Sequence, residues 1–194
     1  MITMKPIASW LLAAAMTAGL LAGCGPRKAL QQEPAAETPA ETCFTAIDKY
    51  LVDSIGHYYS PADYCIPFHD YVTVDESNAD DIQVSGSFWV LNYTQAGDTL
   101  KTMSGGSHPG KMHVRRTTDG HFEVTAFEPV GDGSNYLPTA RRIFGDRFEE
   151  FQQAVSDEKH REAVRKEVLA AFVEREGLAV KYYQDFGWPA VPIQ

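Results

Sequence analysis

Between Ser104 and His113 the chain reads Ser-Gly-Gly-Ser-His-Pro-Gly-Lys-Met-His, its densest run of residues able to do chemistry. Gly105, Gly110 and Lys111 fit the phosphate-loop pattern G-x-x-x-x-G-K, but Met112 stands where Ser or Thr must hold the magnesium ion. The residues that follow alternate as a strand, so no helix N-terminus would face a phosphate, and Pro109 removes a backbone donor. Nucleotide binding is excluded. His108, Lys111 and His113 can instead line a pocket. A metal site needs a third ligand that this spacing does not supply. Acid–base work needs a partner carboxylate, and Glu123, Glu128 or Asp132 serves only if the fold brings it close. Histidines with no such role are commoner than either.

Asp75, Glu76, Asp80 and Asp81 lack the alternating ligands and central glycine of a calcium loop and read as a hydrated turn. No H-E-x-x-H, G-x-S-x-G, C-x-x-C or G-x-G-x-x-G occurs. The candidate binding residues are therefore His108, Lys111, His113, Glu128 and Asp132, expected at one end of a sheet. No catalytic residue, metal site or cofactor is assigned.

The elements that must position them centre on 70–127. Two alternating runs flank Thr118-Asp119-Gly120 and read as a β-hairpin. A three-residue turn with Gly120 in the left-handed region keeps core and solvent faces separate. It sets Val114 opposite Val124, Met112 opposite Ala126, Arg115 opposite Glu123 and Lys111 opposite Phe127. Before it, Thr42 caps a helix to about Tyr59, with Phe44, Ile47, Leu51, Val52 and Ile55 on one stripe, ended by Ser60-Pro61. Strands follow over 64–75 and 82–94, Gly86 marking a bend or bulge. Ile82, Val84, Phe88 and Val90 share one face of the second strand; Trp89, Leu91 and Tyr93 share the other. Residues 105–110 read as a loop.

Pro138 opens helical sequence, and Asp146 to Glu149 has capping-box character before Phe148, Phe151 and Val155. Ser156 or Asp157 caps a last helix ending at Gly177 with Val164, Val168 and Phe172 inward; Lys159, Arg161, Glu162, Lys166 and Glu167 read as its solvated face. The aromatic tail, Tyr182 to Pro189, is expected to pack back on the domain, with a partner-binding strip as the other option.

The 194 residues suffice for one domain. With 17 basic against 26 acidic side chains, a net charge of −9 and no basic cluster, nucleic-acid binding is excluded. Lys5 precedes an apolar run from Ile7 to Ala22, too short for the ~20 residues of a spanning helix. Leu21-Ala22-Gly23-Cys24 resembles the lipobox of bacterial lipoprotein signal peptides. The resemblance implies removal of residues 1–23 and a lipid on Cys24, hence a membrane partner. Gly25, where an inner-membrane retention signal would carry Asp, points to the outer membrane. Residues 24–41 hold Pro34 and Pro39 and no aromatic side chain, the composition of a disordered tether. Cys43 and Cys65 then remain in an oxidising envelope compartment, where a disulfide between them would contribute ~3 kcal/mol.

One helix, an antiparallel sheet and further helices make an α+β domain over 42–194. Leu21–Cys24, the Ser104–His113 run and Asp185-Phe-Gly-Trp-Pro189 resemble the NTF2-like (cystatin-like) lipoproteins of the bacterial envelope. The resemblance covers about 42–176 and implies a curved antiparallel sheet wrapping the first helix into a cone, with additional C-terminal helices. It implies no activity. The expected function is a non-enzymatic module binding a small molecule or envelope protein at the mouth of that cone. The alternative is an NTF2-like enzyme, an isomerase, dehydratase or hydrolase, using polar groups in the cone. An accessory subunit docking through the tail is a third possibility.

Overall fold

The computed structural model describes residues 42–194. The expected signal peptide, lipidated Cys24 and tether lie outside the described residues. Thr42 begins the first helix as expected: its Oγ1 accepts from the Thr45 N–H at 3.3 Å, while the Thr45 hydroxyl oxygen accepts from the Thr42 N–H at 2.9 Å. Helix α1 runs Cys43–Tyr50, then widens into a π turn at Leu51–Ile55 and tightens into a 3₁₀ turn at Gly56–Tyr58. Ile47 and Leu51 lose all contact with solvent. Each fully buried aliphatic side chain of this kind is worth roughly 1.5–3 kcal/mol.

Four strands follow as an antiparallel meander: β1 Tyr64–Asp75, β2 Ile82–Ala96, β3 Thr99–Arg116 and β4 Phe122–Pro129. Three helices come next, α2 Tyr136–Phe144, α3 Phe148–Ser156 and α4 Glu158–Arg175, then short strands β5 Tyr182–Gln184 and β6 Val191–Pro192. The chain is α+β, as its element pattern indicated, and the sheet is strongly curled into a half-barrel. It is mixed rather than wholly antiparallel, because β5 joins the edge of β3 in parallel, Leu100 opposite Tyr183.

Strand β2 is buried on both faces, which fixes the layering. Ile82, Val84, Phe88 and Val90 pack with Ile47 and Leu51 of α1. Leu91 and Tyr93, with Ile66 and Phe68 of β1, pack under Leu169 of α4 and Tyr183 of the tail. Val72 meets α2 and α3, where the Phe144 and Phe151 rings stack at 3.9 Å. Val72 is the extra residue where the β1–β2 register shifts, opposite Gly86. The irregularity expected near Gly86 thus lies in the partner strand.

The hairpin turns at Gly120 with φ +91°, and Val114 faces Val124 and Arg115 faces Glu123. Beyond that the expected register fails. Thr125 bulges out, so Met112 faces Phe127 and Lys111 faces Glu128. Residues 105–110 are not a loop: β3 runs unbroken through them, pairing with β2 from Gly86 to Leu91. Gly105, at φ +138°, makes this possible, because a Cβ there would stand 2.1 Å from the Val90 carbonyl oxygen.

Two further expectations are corrected. Arg147 precedes α3 without a side-chain cap, so Asp146 and Glu149 form no capping box. Cys43 and Cys65 are free thiols. Cys43 opens α1, whereas Cys65 lies against Gly56, where a Cβ would approach its Sγ to 2.7 Å. The helical turns between put roughly 15–20 Å between them, against the ~7 Å limit for bridged Cα atoms.

Candidate functional site

The five candidate residues do not form one site. His108 stands opposite Phe88, and its Nε2 lies 2.8 Å from the Tyr59 hydroxyl, which packs against the α1 core. Burial pushes the His108 imidazole below its ordinary pKa and the Tyr59 phenol above its own. Lys111 donates to Gln83 Oε1 at 3.0 Å. His113 reaches Asp81 through Nδ1 at 2.7 Å and Glu128 through Nε2 at 3.4 Å. Arg142 of α2 grips the other Glu128 oxygen at 2.7 Å. The hydrogen bonds from His113 and Gln83 hold Asp81 below the usual carboxylate range, and that from Arg142 does the same to Glu128. Lys111, His113 and Glu128 therefore belong to a surface network tying β2, β3, β4 and α2 together. Both histidine nitrogens are engaged there. Glu128 is one of the carboxylates the spacing had offered His113; Asp81, the nearer, is far from it in sequence.

The cavity of interest lies between the sheet and the C-terminal helices, on the face opposite α1, and holds about 550 Å³. Asp132 lines it, and His108 borders it from β3 while its imidazole is engaged by Tyr59. The other lining groups were not anticipated. Phe68 and Trp89 face each other across β1 and β2, their rings parallel within 8° and 5.5 Å apart. Ser87 and Ser107 bring their hydroxyl oxygens to 3.1 Å beside them. Asp70 stands next to Phe68's strand position, with His160 Nε2 3.4 Å from its Oδ2.

Arg161, expected on the solvated face of α4, turns into this cavity. Asp157 starts α4 by accepting the His160 N–H at 2.9 Å, and this sets residue 161 in the first turn, toward the sheet. The Arg161 guanidinium lies over the Trp89 ring at 5.5 Å and donates through Nη1 to the Val155 carbonyl at 3.1 Å. Its Nε and Nη2 have no partner among the described residues. The combination offers a cation, two carboxylates, a hydroxyl pair and an apolar wall.

A second charged centre sits under the tail. Arg165, buried between α4 and the sheet, donates to Asp185, Thr102 and the Tyr93 hydroxyl, and its guanidinium lies 4.4 Å from the Tyr183 ring centre. All of its donor nitrogens are used, so it holds structure together and offers nothing to a ligand. Tyr183 is buried by this packing, whereas Phe186 and Trp188 at the following turn are exposed. Among the described residues no group of three or more His, Cys, Asp or Glu side chains is placed to hold a metal ion. Nor, among them, is any helix long and apolar enough to cross a membrane. Compared with the known protein families, with curated proteins and with solved structures, the chain matches none.

Proposed function

We propose that the domain is a binding module of the bacterial envelope, held to the membrane by a lipid on Cys24, that takes a small molecule in the cavity between its sheet and its C-terminal helices. The observation carrying this is that the cavity, of about 550 Å³, keeps charged groups unpaired with each other, Arg161 on α4 and Asp70 on β1. Partly buried charges whose capacity is only partly used, Arg161 by the Val155 carbonyl and Asp70 by the His160 contact, are groups that a ligand can satisfy further. On this reading the NTF2-like arrangement supplies the scaffold: α1 lies along one face of the curled sheet, and the helices after β4 close the other. The ligand then sits outside the cone rather than in its mouth.

Binding without transformation fits the side chains present. The Ser87–Ser107 pair has no histidine bonded to either hydroxyl, so neither oxygen is activated as a nucleophile. One observation favours the enzyme reading, an isomerase, dehydratase or hydrolase: the His160–Asp70 pair at 3.4 Å could shuttle a proton at the cavity. Thermal-shift screening of a metabolite library against the wild type and Ser107→Leu tests the module. Ligands that stabilise the wild type should fail with the filled cavity. Hits unaffected by Ser107→Leu would move the site elsewhere, and turnover of a hit by wild type but not His160→Gln would favour the enzyme. Mass spectrometry of membrane-extracted protein should find the lipid on Cys24; a free mature N-terminus elsewhere would remove the anchor.

A further inference from the structure

The charges in the cavity carry the argument one step further, resting on the reading that it is a ligand site. Arg161 is held at two points, by the Val155 carbonyl at 3.1 Å and by the Trp89 ring at 5.5 Å. That leaves Nε and Nη2, which together form the edge of the guanidinium that takes a carboxylate bidentately. Because the side chain is already fixed, little rotamer freedom is lost when a ligand docks. Across the cavity, the Asp70 carboxylate accepts no hydrogen bond from the described residues, and the His160 imidazole stands 3.4 Å from its Oδ2. Its side chain is 23% exposed, enough to meet a ligand, and its Oδ1 has no partner among the described residues.

Arg161 and Asp70 make no ion pair with each other. A simple anion would gain from Arg161 but be repelled by Asp70 and by Asp132 at the lining. A simple cation would meet the reverse. Only a molecule carrying both signs satisfies both walls, and the separation of its charges is then what the site reads. Neutral sugars commonly stack on an open aromatic ring, but Trp89 is already engaged by Phe68 and Arg161. Ser87 and Ser107 remain for a polar middle, and Phe68, Val155 and Val164 for an apolar side group.

We propose that the cavity takes a small zwitterion of the amino-acid or short-peptide class, its carboxylate on Nε and Nη2 of Arg161 and its ammonium on Asp70. Isothermal titration of the whole protein tests this with a panel of L-amino acids and dipeptides, their N-acetyl and C-amide derivatives, inorganic phosphate and neutral monosaccharides. At least one zwitterion should bind, and blocking either end should weaken it tenfold or more. Arg161→Gln should abolish the preference for a free carboxylate and Asp70→Asn the preference for a free ammonium, each leaving the other preference intact. Blocked derivatives binding as well as their parents would overturn the proposal, as would a panel in which no zwitterion binds. If phosphate or a sugar binds instead and Ser107→Leu prevents it, the cavity stands as a ligand site and only the zwitterion class is wrong. A zwitterion whose affinity survives both Arg161→Gln and Ser107→Leu would remove this cavity from consideration altogether.

Discussion

Arg165 and Asp185 meet through two parallel hydrogen bonds, 2.8 Å from Nη1 to Oδ2 and 2.7 Å from Nη2 to Oδ1. They join α4 to the tail, and Thr102 of β3 completes the ring by donating to Asp185 Oδ1 at 2.6 Å. Burial alone would lower the Arg165 pKa, but the hydrogen bonds and charges of Asp185 and Tyr93 together outweigh it and raise it. The same bonds hold Asp185 below the usual carboxylate range, and burial pushes the Tyr93 phenol up to about 12.

Removing the arginine should release the tail. Arg165→Met is expected to destabilise the domain by about 2–3 kcal/mol, short of a fully buried pair because Asp185 is 42% exposed. Arg165→Lys should recover little, since an ammonium cannot span both carboxylate oxygens. Chemical denaturation checks both, and limited proteolysis should cut near 178–190 in the variant. An unchanged cleavage pattern would show that the aromatic packing holds the tail unaided. Because the folded Asp185 pKa is depressed, its contribution is complete above the unfolded value near 3.8 and is lost as pH falls below it.

His108 gives stability a second, higher pH window. Its folded pKa lies below the ordinary 6.5 because burial disfavours the imidazolium. The unfolded chain therefore binds this proton first, and stability should fall as pH drops from 7.5 through 6.5 toward the lowered folded value. His108→Gln, which cannot titrate, should show a shallower fall between pH 7.5 and 5.5 in urea melts. Equal slopes for the two proteins would mean that His108 is not the titrating group.

Gly105 is where β3 has no room for a side chain. Gly105→Ala adds a Cβ at φ +138°, 2.1 Å from the Val90 oxygen, so one of the two strands must move. A loss of roughly 2–4 kcal/mol is expected. Gly120→Ala, at a turn with nothing within 4 Å of the added carbon, should cost less, about 1 kcal/mol, from its positive φ alone. Parallel melts of the two variants check the order; comparable losses would contradict the close approach at Gly105.

The two cysteines should behave as slow, separate thiols. Burial, then the charge of Glu76, raises Cys43, and burial, then Asp53, raises Cys65. Alkylation of unreduced native protein should be slow at both sites and complete once the chain is unfolded, as read by peptide mapping. A Cys43–Cys65 disulfide peptide would be direct evidence against the unbridged arrangement.

Local pattern made much of the fold legible. The Thr42 cap, the Ile47–Leu51 stripe, the two faces of β2 and the Val114–Val124 and Arg115–Glu123 pairs follow from spacing alone. What escaped was set by contacts distant in sequence. The run at 105–110 looks like a loop because glycine and proline are poor strand formers, but β2 lies beside it and supplies its pairing. The Thr125 bulge shifts one residue of register without any glycine to announce it. Arg161 was hidden among the charges of α4, because periodicity does not show that Trp89 lies beneath its first turn. The disulfide expectation rested on cysteine count and compartment, and helix length overruled it.

The place of β5 has a consequence for how the protein comes into being. Its partner edge, Thr99 to Lys101, is made some 80 residues before the strand that covers it, with β4 and three helices synthesised in between. Until that strand arrives, β3 presents an uncovered edge, and Leu100 lacks the Tyr183 ring that closes over it. The meander can form before the chain is finished, but its edge stays open to a neighbouring nascent chain. Chains cut short before Tyr182 should therefore gather into aggregates rather than persist as loosened monomers.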